Sequence, residues 1–266
     1  MAGLLSIIIP AYNEGKRIGR TLDEVLRFLS TYKYDSEVIV VDDGSKDDTA
    51  IEVKSRVDEY RSLNRDLRLL TNDPNRGKGY SVKRGISEAR GDIALFTDAD
   101  LSSPITEAPK LVDPIRENRA DVTFGSRGID PNLIGVHQSF LREMGGRTFN
   151  LFVRAITGLK YKDTQCGFKA FRRELALPAF QLQRIERFGF DPEVLYIARK
   201  HGLRLEEVPV AWNHSDESKV SYIRDSVDMF LDLVRIRVND FAGRYNNSAT
   251  PPSLDSRSMS NRAGKR

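Results

Sequence analysis

The chain has 266 residues, 39% of them apolar and 30% charged, a size and balance that suit one large globular domain, and a net charge of +4 gives no argument for nucleic acid as a partner. Its single cysteine, Cys166, excludes an intrachain disulfide and a Cys-rich metal site. No apolar run approaches the roughly 18 residues that span a bilayer, and the N-terminus lacks the basic-then-apolar layout of a secretion signal, so the expected location is cytoplasmic with any membrane contact peripheral.

In chain order, the apolar run 4–9 reads as a strand stopped by Pro10, followed by Ile18, Leu22, Val25, Leu26 and Leu29 at helical spacing. A second strand, 37–41, ends at Asp42-Asp43-Gly44, with Asp47 or Asp48 placed to cap a helix through Ile51 and Val57. Further strands are expected at 67–70, 92–97 and 121–125. Short apolar strands separated by helices predict a doubly wound α/β fold, a mainly parallel sheet with helices on both faces. Helical spacing returns at Phe149, Phe152, Val153 and Ile156, and at Val227, Phe230, Leu231 and Val234, which predicts a C-terminal helical extension. We divide the chain into a domain over 1–241, with halves of about 1–127 and 128–241, and a basic tail over 242–266 with too few apolar residues to pack.

Ligands in such sheets bind outside the carboxyl ends of the strands, and the polar clusters 11–14, 42–47, 75–79 and 98–100 all follow predicted strands. Asp98-Ala99-Asp100 places two carboxylates one residue apart, a pair able to share Mg²⁺ or Mn²⁺ with substrate phosphates; the plain alternative is a solvated turn. Asp42 is suited to accept ribose hydroxyls or a pyrimidine imide, while Ser45 and Asp47 fit a turn and helix cap. Glycines flanking Lys78 suit close backbone approach to a ligand, yet neither a P-loop nor a dinucleotide fingerprint is complete there.

Taken together these motifs resemble the family 2 glycosyltransferases. Ile9-Pro10-Ala11-Tyr12-Asn13-Glu14 is similar to that family's opening nucleotide-binding segment, Val41-Asp42-Asp43-Gly44-Ser45 to its second, and Asp98-Ala99-Asp100 to its metal-binding triplet. Within the family the likeness is to the branch of dolichyl-phosphate β-glucosyltransferases and mannose synthases, through Asp163-Thr164-Gln165-Cys166-Gly167-Phe168-Lys169, Phe190-Asp191-Pro192-Glu193 and Glu207-Val208-Pro209-Val210. The Gln-x-x-Arg-Trp motif of processive synthases and the glucosyltransferases' N-terminal anchor are absent from this sequence. The resemblance implies a GT-A-type fold and inverting, metal-dependent transfer of one hexose. The donor would be a nucleotide sugar, UDP-glucose before GDP-mannose, and the acceptor a polyprenyl or dolichyl phosphate. It also implies that Pro10, Tyr12, Glu14 and Asp42 hold base and ribose, that Asp98 and Asp100 hold nucleotide and metal, and that Arg127 reaches a phosphate.

A lipid phosphate is already an anion near neutral pH and needs no general base; it needs cations along its approach. Arg127, Arg147 and Lys219 are the leading candidates, with Arg142, Arg154 and Lys169 fitting solvated surface charge better. Asp191 is the candidate base if the acceptor is instead a hydroxyl on a glycan or small molecule. A nucleotide-sugar-binding module and a nucleotidyltransferase on the same core are the remaining alternatives. The basic, aromatic helix 142–158 fits either a membrane interface or packing on the sheet.

Overall fold

The computed structural model describes residues 3–33, 35–136, 140–213 and 222–246, with side chains at all of these except 136, 140–144, 147 and 222–226. The strands are β1 (Leu5–Ala11), β2 (Ser36–Asp42), β3 (Asp66–Thr71), β4 (Ile93–Thr97), β5 (Val122–Ser126), β6 (Ile134–Val136), β7 (Phe168–Arg172), β8 (Leu205–Pro209) and β9 (Trp212–Asn213). The helices are α1 (Ile18–Thr31), α2 (Thr49–Lys54), α3 (Val57–Ser62), α4 (Lys78–Glu88), α5 (Ala108–Arg116), α6 (Phe140–Thr157), α7 (Arg173–Leu182), α8 (Phe190–Lys200) and α9 (Tyr222–Phe241).

Seven strands form one sheet in the order β3-β2-β1-β4-β7-β5-β8, and β6 pairs with β9 beside it. Every pairing in the large sheet is parallel except those of β7 with β4 and β5. The five expected strands are present within a residue or two of their predicted ends. Pro10 does not stop β1, which runs on to Ala11. Pairing of β1 with β4 ends at Ile8, so Pro10 lies where β1 pairs with β2 alone and a missing N–H is tolerated. The helix expected across Ile51 and Val57 is two short ones, α2 and α3.

Alternate residues of the buried strands enter two separate cores, as a sheet covered on both faces requires. Ile7, Ile9, Val38 and Val40 pack with Leu22, Val25 and Leu111 of α1 and α5 on one face. Ile8, Ile39 and Val41 pack with Val82, Phe180 and Val194 of α4, α7 and α8 on the other. The packed chain runs past the expected boundary at 241. Tyr245 is fully buried, and its hydroxyl donates to Glu193 Oε1 at 2.6 Å.

Candidate active site

The carboxyl ends of β1, β2 and β4 open onto a cleft of about 1520 Å³. Its first wall comes from Pro10, Ala11, Tyr12, Glu14, Asp43, Lys78, Asp98, Ala99 and Asp100, and its second from 184–188, α9 and Arg244 in the turn after it. Of the expected ligand-holding residues, Pro10, Tyr12, Glu14, Lys78, Asp98, Ala99 and Asp100 are thus brought together.

The loop after β1 is stitched to the loop after β2 before any ligand arrives. Asn13 adopts a left-handed conformation, and its side-chain oxygen accepts the Lys46 N–H at 2.8 Å while its own N–H donates to Ser45 Oγ at 2.8 Å. Glu14 N–H donates to Thr49 Oγ1 at 2.8 Å, and Gly15 N–H to Asp47 Oδ2 at 3.0 Å. Ser45 and Asp47 are therefore loop fasteners; α2 follows Asp48, whose side chain makes no cap hydrogen bond, while Asp47 Oδ1 accepts the Thr49 N–H at 3.1 Å.

The two acids after β2 divide differently from expectation. Asp42 is buried and its Oδ1 accepts the Ser45 N–H at 3.0 Å, closing its own turn. Asp43 lines the cleft instead. Its carboxylate accepts Asn72 Nδ2 at 2.7 Å, Arg76 N–H at 3.0 Å and Gly77 N–H at 2.7 Å. It thereby fixes the entry to α4, where Gly77 takes a φ of 107° that other residues rarely adopt.

Lys78, the first residue of α4, donates to Asp98 Oδ1 at 2.5 Å. Burial alone would lower the Lys78 pKa, but Asp98, Asp191 and Asp100 together raise it, so the ammonium stays charged. On the other side of Asp98 lies Gly167, where any β-carbon would strike the Asp98 carboxylate. Asp100 closes an Asx turn by accepting Ser102 N–H at 2.9 Å. No third His, Cys, Asp or Glu joins this pair into an all-protein cage among the described residues. Two carboxylates fit Mg²⁺ or Mn²⁺, ions that take one or two protein carboxylates and complete their shell with diphosphate oxygens and water.

Arg127 does not line the cleft. Its Nε and Nη2 donate to the two Asp163 carboxylate oxygens at 2.6 and 3.0 Å, and it stands over the Trp212 ring at 5.5 Å. Burial would lower the Arg127 pKa, but the Asp163 charge holds it above its ordinary value. The segment carrying Asp163 hangs on Glu207, whose carboxylate accepts the N–H groups of Lys162 and Asp163 at 2.8 and 2.7 Å. Two of the motifs read from sequence thus brace a third. Burial pushes the Cys166 thiol in the same segment up to about 11, which leaves it inert.

Asp191 lies buried at the start of α8, with Lys169 Nζ at 2.6 Å. Lys169 is itself buried and also donates to the Cys166 carbonyl, so it is no solvated surface charge. Burial raises the Asp191 pKa, offset in part by Lys169 and Lys78. Lys219 lies outside the described residues, as do the side chains of Arg142 and Arg147. The cations that do line the second wall are Arg184, Arg187, Arg235 and Arg244. Sequence reading missed all four. The spacing of Arg184 and Arg187 just before Phe190-Asp191 was the one signal available.

A mainly parallel sheet whose carboxyl edge carries a paired-aspartate cleft between two walls is the architecture of a GT-A-type fold. The family model described as Glycosyl transferase family 2 matches residues 6–177, and the chain belongs to that family. It is an enzyme, a hexosyltransferase. A dolichyl-phosphate β-glucosyltransferase of Dictyostelium discoideum is 40% identical over 249 residues, spanning 90% of this chain and 75% of that protein. Proteins of the same name from Saccharomyces cerevisiae and Homo sapiens are 36% and 33% identical, over 91% of this chain in each case and 76% and 77% of their own lengths. Among solved structures, glucosyl-3-phosphoglycerate synthase from Mycobacterium tuberculosis in complex with UDP shares the fold. Its TM-score is 0.62 at 20% identity, covering 88% of this chain and 80% of that one.

Proposed function

We propose that this enzyme transfers glucose from UDP-glucose to a dolichyl or other polyprenyl phosphate, inverting the anomeric centre. The observation that carries this reading is the second wall of the cleft. It carries four arginines and three carboxylates, Glu186, Asp228 and Asp232, of which Glu186 is bound by Arg76 and Asp232 by Arg235 at 2.8 Å. A wall of that charge suits an anionic nucleophile, which must approach a diphosphate beside carboxylates without being repelled. The names of the relatives supply the sugar and the lipid, and a β-linked product from an α-linked UDP-glucose requires inversion.

Tyr12, Glu14 and Pro10 would hold the base and ribose, and Asp98 and Asp100 would hold Mg²⁺ or Mn²⁺. When bound, that ion supplies positive charge to the diphosphate as it leaves. Lys78 would turn from Asp98 towards the same diphosphate. An oxygen of the acceptor phosphate, oriented by the arginines, attacks the anomeric carbon. The bond from that carbon to the diphosphate oxygen breaks, and its electron pair leaves with UDP. No proton moves, which agrees with an Asp191 already engaged by Lys169. Arg127 would act through Asp163 as a brace, and contact with the bilayer would be peripheral.

Release of UDP from UDP-glucose, with and without a short polyprenyl phosphate in Mg²⁺ or Mn²⁺, tests the reading. Lipid-dependent release that disappears in Asp100→Asn is the expected result. Release that ignores the lipid phosphate but answers to a sugar hydroxyl would overturn it.

A further inference from the structure

The four cleft arginines stand on separate pieces of chain: Arg184 and Arg187 in the loop before α8, Arg235 on α9, and Arg244 in the turn after α9. Grouped cations repel one another, so such a wall needs something to hold its roots. Two of those roots meet one carboxylate. Glu193, in the first turn of α8, is fully buried. Its two oxygens accept Arg184 N–H at 3.1 Å each, Oε2 accepts Ile185 N–H at 2.8 Å, and Oε1 accepts the Tyr245 hydroxyl at 2.6 Å. Tyr245 Oη accepts Asn239 Nδ2 at 3.1 Å, and Asn239 Oδ1 accepts Arg244 Nη1 at 2.8 Å. His201 Nε2 donates to the Tyr245 carbonyl at 2.8 Å, which ties the same turn to the end of α8. Arg184 is thus held at its backbone and Arg244 at its guanidinium by one chain of hydrogen bonds centred on Glu193.

None of the three donors to Glu193 is a side-chain cation, and taking a carboxylate out of water is costly. What a carboxylate offers in return is acceptor capacity. Its two oxygens carry about four lone-pair sites, enough for two amides and a hydroxyl together, and its charge shortens and strengthens each bond. We propose that Glu193 is the positioning residue of the acceptor side, with Tyr245 as its relay, and that together they set Arg184 and Arg244 at the separation an incoming phosphate requires. This rests on the lipid-phosphate reading above. Without the carboxylate both arginines would still reach the cleft, but they would lose their common frame, and misplacement of about 1 Å is enough to weaken a phosphate clamp.

Steady-state kinetics with UDP-glucose and a short, detergent-dispersed polyprenyl phosphate test the proposal in the full chain. Glu193→Met removes every acceptor, Tyr245→Phe keeps the buried ring and removes only the relay hydroxyl, and Glu193→Gln keeps one oxygen for the two amides. KM for the lipid phosphate is expected to rise about tenfold in Glu193→Met and roughly threefold in Tyr245→Phe, while KM for UDP-glucose stays within about twofold. Glu193→Gln should recover most of the loss. A merely structural role would lower the fraction of folded enzyme, and so kcat, and leave the acceptor KM where it was. That pattern in both Glu193→Met and Tyr245→Phe would overturn the proposal, as would a UDP-glucose KM that rises equally. If Glu193→Met fails to fold, Tyr245→Phe carries the comparison alone. Amide hydrogen exchange separates this proposal from the acceptor reading. Should the parent show no turnover with the lipid phosphate, faster exchange at residues 184 and 185 in Glu193→Met, or across 243–246 in Tyr245→Phe, would uphold the positioning and remove the acceptor reading alone. Unchanged exchange in both segments would overturn the positioning.

Discussion

Asp191 and Lys169 share one hydrogen bond in a place where neither meets water. Removing one partner of a buried pair strands the other charge, which costs about 3–5 kcal/mol, whereas replacing both with apolar groups is near neutral. Asp191→Asn should therefore lower stability by roughly that amount in urea unfolding, and Lys169→Met/Asp191→Leu should recover most of it. Loss of a true general base costs about a hundred- to ten-thousandfold in rate. The double variant is expected to keep kcat within about tenfold of its parent, with the same pH profile. A folded double variant that has lost the acidic limb of its pH profile would restore Asp191 as the base and favour a hydroxyl acceptor.

Helix α4 delivers Lys78 to the cleft and sets how closely the helix layer approaches the sheet. At Gly85 an added β-carbon would strike Ile8 Cγ2 and lie 3.2 Å from Val41 Cγ2. Gly to Ala inside a helix normally gains roughly 0.5–1 kcal/mol, but overpacking a core costs about 1–3. With two β-branched side chains held in a central sheet, overpacking should win. Gly85→Ala is expected to lower the urea midpoint by an amount equal to about 1 kcal/mol or more; a raised midpoint would mean that α4 can lift off freely. The elements legible in the sequence were those whose own residues carry the signal. β2 and β4 are built on apolar runs, β1 holds three consecutive isoleucines, and α1 keeps strict helical spacing. β7 was not legible as a strand, because Lys169 interrupts it and the partner that neutralises Lys169 sits 22 residues later on α8. Tyr245 was lost to the tail for a similar reason, since its anchor is Glu193, 52 residues earlier.

Across the whole molecule the nucleotide wall was readable because strand ends concentrate polar residues in short motifs. The arginine wall was not, since it is assembled from a loop, a helix and the turn after that helix, 48 to 60 residues further on, whose charges look like ordinary surface. The same long-range pairing governs how the fold responds to acid. Burial would raise Glu37, Asp121 and Asp163, but hydrogen bonds and charges from Ser6, Arg90, Arg204 and Arg127 hold all three below their ordinary values. Such groups bind fewer protons folded than unfolded, so their stabilisation is present above the unfolded pKa, about 4, and is lost as pH falls through the folded values. Glu193 and Asp232 are displaced the other way, chiefly by burial. Their contribution is complete below the unfolded pKa and is lost as pH rises through the folded values. Lowering the pH from about 7 should therefore first stabilise the protein, and below about 4 destabilise it. Calorimetry across this range is expected to find the highest Tm on the acid side of neutrality. Glu193→Gln should flatten the rise, and Glu37→Gln the fall. A Tm that drops steadily from neutral pH would mean that the buried carboxylates of the second half are not held neutral on acidification, and that Tyr245 does not seal Glu193 from water.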